Sequence, residues 1–451
     1  MSGDVLFLTY TALIALILIS GLLWFGLKDI RVNIALLLLT PLITSIFYKN
    51  EERWLTEELE TGFEGYIRGA IIIYSALIGI GIYIKKFDLH SKRLSVVYLF
   101  FFLFILLAFL SITYTVDLKY TTIRSIFLFG LFLLLIGIDK WLDESAKFEA
   151  LLNTLFYVTV FYISISILSL AIPSRSWWWR APRFIGFLTE PNITGAYFML
   201  SYPIILWKSF NSGDNINSKR IAIAILILAF GLHVLTGSRT TIISSILGIS
   251  VFLFIQRKIV KLVSVLGLVS LIIIVIFFIY TPQNLERGEE GTVMTVTGRD
   301  VLWQGAVFRF FQKPVFGWGY MVESKILNMR SMQGTFSLPT AQQPLHNGYL
   351  SILTGTGLVG LFLWLTVILF PLFKNAKNRN PFIINYKSYF VSTFVMVLLS
   401  NFTESFITGY IGNGGDLFFW IAWVVAIKLP DNLIPSDYKN LNQVSLETDL
   451  R

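Results

Sequence analysis

The sequence predicts an all-α, polytopic helical membrane protein, and three observations carry that expectation. Of its 451 residues, 55% are hydrophobic and only 14% charged, against about 25% charged in an ordinary soluble domain. The apolar residues come in blocks, such as 221–230 and 266–279, that contain no charge. No stretch alternates polar and apolar residues as a barrel strand would, so backbone polar groups must be satisfied inside helices. A soluble enzyme, a disordered chain and a nucleic-acid-binding module are thereby excluded. The net charge of +9 reports topology here, not a nucleic-acid partner. The absence of Cys removes disulfides, thiolate metal sites and cysteine nucleophiles.

Taken in order, apolar runs bounded by charges or turn residues fall at 5–27, 33–48, 69–84, 94–114, 121–138, 151–172 and 193–209. They continue at 221–235, 240–256, 259–280, 348–373, 385–400 and 417–428. The first has an acidic flank and no small-residue cleavage pattern, so it reads as a span and not as a cleavable signal. With a span needing roughly 20 residues, this gives about 12–13 transmembrane helices with one long external loop containing amphipathic helix. The corresponding division is N-terminal transmembrane helices (1–180), central transmembrane helices with external Arg motifs (181–280), an extracytoplasmic loop (281–346), C-terminal transmembrane helices (347–430) and a cytoplasmic tail (431–451).

Sidedness follows from the short connections. One set holds Lys28 and Arg31, then Lys85, Lys86, Lys92 and Arg93, then Lys140 and Lys147, and later Lys374, Lys377, Arg379, Lys387 and Lys428. With the 208–220 and 257–261 clusters, this set takes more than half of the 36 basic residues, which places it in the cytoplasm. The polar, irregular sequence then gathers on the other face: 174–192, the hairpin around Ser238, the loop 281–346, and 401–416. Cytoplasmic loops are too short for a nucleotide-binding domain, so any energy source resides in the substrate or in a gradient.

Four external features carry polar groups that can do chemistry. Arg183 opens a segment that runs through Gly186 and Glu190 to Pro191 and Asn192, where proline suits the first turn of a span. Ser238 and Arg239 sit in a minimal hairpin between two spans. A cation at a span end ordinarily snorkels, yet Arg239 is the only basic residue of a connection on the side depleted of them, which favours function. Arg299 and Trp303, four residues apart, share a face of a helix preceded by Thr297 and closed by Lys313-Pro314. The remainder of that helix is amphipathic and suited to lie on the outer leaflet. His346 and Asn347 stand where the long loop re-enters the membrane. His233, by contrast, lies in an apolar span as a hydrogen-bonded packing residue. Gly355, Gly357 and Gly360 follow no strand, so a dinucleotide fingerprint fails, and small residues in a span point to close helix packing.

Several guanidiniums on one membrane face suit a phosphorylated lipid head group, because Arg binds phosphate bidentately and stays charged when partly desolvated. A histidine beside them could take a proton from a hydroxyl nucleophile. The Arg cluster would stabilise a departing diphosphate. External carboxylates near these motifs are few (Glu190, Asp300 and Glu404) and lack a paired D-x-D spacing, so no metal is expected.

The order Arg183-x-x-Gly186 with Asn192, Ser238-Arg239, Arg299-x-x-x-Trp303, Pro314-x-Phe-Gly-x-Gly319 and His346-Asn347 resembles the O-antigen ligase/polymerase superfamily of bacterial membrane glycosyltransferases. The resemblance covers roughly residues 180–370. It implies a multi-pass protein of the bacterial cytoplasmic membrane with its active site on the periplasmic face. There it would transfer a glycan from undecaprenyl diphosphate to an acceptor hydroxyl, with inversion and without metal or cofactor. Carried across residue by residue, His346 would be the base, and Arg239, Arg299 and Arg183 would hold the diphosphate. Asn347, Glu190, Asn192 and Trp303 would support them. Partners would be the lipid-linked glycan donor, a saccharide or lipid A–core acceptor, and the bilayer. An O-antigen ligase is the reading favoured; a polysaccharide polymerase and a protein O-oligosaccharyltransferase are alternatives within the superfamily. A lipid-linked oligosaccharide transporter is the alternative of another class, and it predicts charges deep in the spans and a repeat between halves.

Overall fold

In the computed structural model, residues 26–48, 63–86, 95–171, 179–180, 183–186, 188, 190–211, 215–258, 260, 299–327, 345–375, 383–407 and 415–432 are described. Nearly all of the expected spans 5–27 and 259–280, Thr297, and nearly all of the tail 431–451 lie outside these residues. The helices in chain order are α1 (Ile30–Tyr48), α2 (Phe63–Lys85), α3 (Val96–Leu110), α4 (Leu118–Trp141), α5 (Ser145–Leu170), α6 (Pro191–Asn211) and α7 (Ile216–Leu235). They continue with α8 (Arg239–Ile255), α9 (Arg299–Gln312), α10 (Glu323–Leu327), α11 (Gly348–Asn375), α12 (Ile384–Ser400) and α13 (Gly415–Asn432). The only strands among the described residues are β1 (Trp179–Arg180) and β2 (Arg183–Phe184), an antiparallel pair in the 174–192 connection. The protein is an all-α polytopic membrane protein, as its hydropathy pattern requires.

Among the described residues, five helices are long and apolar enough to cross a membrane: Val96–Thr113, Leu118–Trp141, Ser145–Leu170, Ile216–Leu235 and Gly348–Asn375. α13 owes its short apolar run to its place in the bundle. Every residue from Asp416 to Ile427 is buried, and α13 packs against α12, α11, α4 and α6. A helix wrapped by other helices meets little lipid, so its length and hydropathy are set by packing. Its aromatic side is dense, with Trp420 stacked on Phe101 at 5.3 Å and Tyr98 edge-on to Trp423 at 5.4 Å.

The helices run between two chemically different ends. At one end Lys86 and Lys147 both bind Asp143, Lys428 pairs with Asp139 at 3.1 Å, and Lys374 donates to the Ile427 carbonyl. Burial works to raise the Asp143 carboxyl, but hydrogen bonds from Lys147 and Lys86 hold it below the usual carboxylate range. These are the basic connections that sequence assigns to one face. The starts of α6, α8 and α11 and the end of α12 form the opposite end, and the candidate functional residues lie there.

One expectation needs correcting. The glycines at 355 and 357 admit a loop and not a second helix, while Gly360 lies against Leu107 of α3. α11 is broken at Gly357 (φ 67°, ψ −166°), a conformation essentially confined to glycine. The bend folds the first half of α11 back toward the second, so that the rings of Tyr349 and Trp364 meet edge-on at 5.8 Å. A broken helix strands backbone groups that need partners in an apolar setting, and the segment after α9 supplies them. Trp318 and Gly319 donate to the carbonyls of Thr354 and Gly355, while Leu358 and Val359 donate to those of Pro314 and Val315. A Cβ at position 357 would lie 2.2 Å from the Val315 carbonyl oxygen. Gly357→Ala is therefore expected to destabilise the folded protein by about 1–3 kcal/mol, the usual cost of such a backbone. Thermal unfolding in detergent measures this, and an unchanged midpoint would refute the role given to the break.

Candidate functional site

The site is built around a residue that the motif order does not contain. Glu404 lies in the turn that closes α12. Its backbone N–H donates to the Ser400 carbonyl at 2.9 Å, and the Gly348 N–H donates to the Asn401 and Glu404 carbonyls at 2.9 and 3.1 Å. Asn401, fully buried, fixes the turn from the other side by accepting from the Phe406 N–H at 3.1 Å. The end of α12 and the start of α11 are thus clasped together, which carries Glu404 to His346.

Three of the sequence-predicted residues converge on the Glu404 carboxylate. His346 Nδ1 lies 3.1 Å from Oε2. Asn192 Nδ2 donates to Oε1 at 2.7 Å, and Arg299 Nη2 donates to the same oxygen at 3.2 Å. Arg299 Nη1 also donates to the Thr403 carbonyl. Arg183 joins one step further out, donating from Nη2 to Asn192 Oδ1 at 2.6 Å and from Nε to the Thr236 carbonyl at 2.7 Å. A carboxylate only accepts, so His346 Nδ1 carries the hydrogen. In the neutral ring that leaves Nε2 as the lone-pair nitrogen, and it has no partner among the described residues. The Glu404 side chain is 10% exposed and His346 26%, so the carboxylate is sheltered while the imidazole can be reached.

The remaining predicted residues position this cluster. His346 adopts a left-handed backbone (φ 47°), uncommon outside glycine, as the chain turns from the loop into α11. Asn347 caps α11, its Oδ1 accepting from the Leu350 N–H at 3.0 Å. Trp303 donates from Nε1 to the Leu345 carbonyl at 2.9 Å, and Leu345 packs with Leu302, Ala306 and Leu327. Arg299 and Trp303 do share one face of α9, and that face holds both sides of the His346–Glu404 contact. Arg239 is the exposed first residue of α8. Its neighbour Thr240 accepts from the Thr403 hydroxyl at 2.8 Å, which sets the start of α8 beside Glu404. Gly237 (φ 61°) lets the hairpin pass close over Arg183. Glu190 takes part through its backbone carbonyl, which accepts from Thr194, and none of the hydrogen bonds described here brings its carboxylate to Glu404.

A family model described as O-antigen ligase matches residues 224–365. The matched segment supports the resemblance to the O-antigen ligase/polymerase superfamily read from the sequence. No curated protein matches the chain. The O-antigen ligase match contains Arg239, Arg299, Trp303, His346 and Asn347. Arg183, Asn192 and Glu404 lie outside it and are joined to it by the hydrogen bonds above. Glu404 had one signal in the sequence: it is an acidic residue in a short external connection. Its importance comes from contacts 58 residues away to His346 and 105 away to Arg299, which no local pattern encodes. Among the described residues no three His, Asp or Glu side chains gather as a metal site would require. What the site does contain is an imidazole oriented by a carboxylate and flanked by guanidiniums.

Proposed function

We propose that the protein transfers a glycan from undecaprenyl diphosphate to an acceptor hydroxyl at the outer face of the cytoplasmic membrane, acting as an O-antigen ligase. The observation that carries this reading is the His346–Glu404 pair, held among Arg299, Asn192 and Arg183 with Arg239 alongside. The acceptor hydroxyl attacks the anomeric carbon from the side opposite the diphosphate. A carbon–oxygen bond to the acceptor forms as the anomeric carbon–phosphate oxygen bond breaks, so the configuration inverts. The hydroxyl proton passes to His346 Nε2, and the bonding electrons leave with undecaprenyl diphosphate. Glu404 keeps the imidazole in the Nδ1–H form and stabilises the imidazolium once it is protonated. Arg299 neutralises Glu404, which would otherwise repel the donor. It has further N–H donors to turn toward phosphate, and Arg239 and Arg183 add charge where the leaving group develops it.

The membrane supplies the donor from the side. Val307, Phe308 and Phe311 of α9 and Val315 and Phe316 beyond it are exposed, a continuous apolar edge suited to the outer leaflet. Arg299 and Trp303 stand at the start of the same helix, at the site. A lipid diphosphate can therefore reach the arginines without leaving the bilayer. Removing one charge-assisted contact costs about 1.5–3 kcal/mol. Arg239→Ala should accordingly raise the KM for the lipid-linked donor by about tenfold or more, while the KM for the acceptor stays put. Steady-state kinetics with each substrate varied in turn checks this. In cells, a deletion strain separates the acceptors. Long lipid-linked chains left unattached support the ligase, single repeat units on the acceptor indicate a polymerase, and normal polysaccharide in every fraction rejects both.

A further inference from the structure

His233, in the last turn of α7, is fully buried and has no part in the reaction described above. Its ring bridges two other helices. Nδ1 is 2.9 Å from the Tyr202 hydroxyl of α6, and Nε2 is 2.8 Å from the Thr241 hydroxyl of α8. Thr241 in turn donates to the Ser238 carbonyl at 3.0 Å. One order of protons satisfies every group: Tyr202 donates to Nδ1, the Nε2–H donates to Thr241, and the Thr241 hydroxyl donates to Ser238. The reverse order leaves the Tyr202 proton without an acceptor and the Ser238 contact unmade. The His233 carbonyl meanwhile accepts from the Thr236 hydroxyl at 2.7 Å and from its N–H at 3.0 Å.

His233 therefore holds both sides of the 236–240 hairpin, one through its backbone and one through its ring. That hairpin supplies the carbonyl that binds Arg183, carries Arg239, and meets Thr403 through Thr240. A buried imidazole is costly unless its bonds are made, and an aliphatic residue would fill the same space. We propose that His233 is a positioning residue for the donor-binding arginines, acting through the Tyr202–His233–Thr241 chain on the hairpin; the proposal rests on reading Arg239 and Arg183 as donor ligands.

His233→Phe keeps the ring shape and removes both bonds, and Tyr202→Phe removes one bond as a milder second variant. His233→Phe is expected to raise the donor KM about tenfold with the acceptor KM unchanged, a loss of donor binding that a residue stabilising only the fold would not select. In an Arg239→Ala background the same change should cost much less, because contacts that share a partner are not additive. Amide hydrogen exchange across 236–242 should quicken in both single variants. An unchanged donor KM, or full additivity with Arg239→Ala, overturns the proposal. If the unaltered protein transfers no glycan, the functional reading fails instead, and the exchange measurement still decides this one: unchanged protection of the hairpin in both variants refutes it.

Discussion

His346→Ala is expected to lower kcat for glycan transfer by about 10²–10⁴, the usual contribution of a positioned proton acceptor. Donor binding should survive, because the arginines stand on α8, α9 and the 183–192 segment and not on the loop bearing His346. The fold should survive as well. The imidazole is partly exposed, makes one hydrogen bond among the described residues, and its replacement leaves no large cavity. Gel filtration and donor binding thus control for folding while single-turnover kinetics reads the chemistry. A variant that retains its rate would remove His346 from the reaction and with it the role assigned to Nε2.

Glu404→Gln should cost nearly as much by a different route. Glutamine keeps the volume and one acceptor oxygen, but its second position becomes an N–H₂ donor. Three groups donate to Glu404: Asn192, Arg299 and His346. With the amide nitrogen facing His346, Nδ1 must become the acceptor, and the proton moves to Nε2 on the substrate side. The imidazole is then in the wrong tautomer to take a proton, a change that lowers turnover by about 10⁴ in the serine protease triad. A loss of two orders or more in kcat is expected, with a smaller change in donor KM. Glu404→Ala tests something else. It leaves Arg299 and His346 facing an empty, sheltered position, and uncompensated buried charge costs about 3–5 kcal/mol. That variant should be unstable, so the glutamine variant is the informative one. Normal turnover in Glu404→Gln would mean that the carboxylate is structural.

Much of this was legible in the sequence because the forces that write it act locally. Charge-free blocks mark the spans, and the clusters at Lys85, Lys140 and Lys374 mark one end of the bundle. Arg239 and Arg299 stand out because they defy that charge distribution, and His346 because it sits at an external span boundary among polar neighbours. What was not legible depends on helices packed across the bundle. Glu404 gains its meaning only when the end of α12 meets the start of α11. Gly357 reads as one more small residue in an apolar run, yet it breaks the helix because a loop from α9 satisfies the freed backbone. Asn347, read from the sequence as a supporting residue, caps α11 beside His346. His233 was recognised as a hydrogen-bonded residue of a span, but its partners, Tyr202 and Thr241, lie on two other helices.

The most direct test of the central claim is the anomeric configuration of the product. The purified protein, reconstituted with an undecaprenyl-diphosphate-linked glycan and a lipid A–core acceptor, should form a new glycosidic bond of the opposite configuration to the donor. One undecaprenyl diphosphate should be released for each bond formed, and both signals should be lost in His346→Ala. Retention of configuration would contradict a single displacement with His346 as base, and no transfer to any hydroxyl acceptor would contradict the reading of the site as a whole.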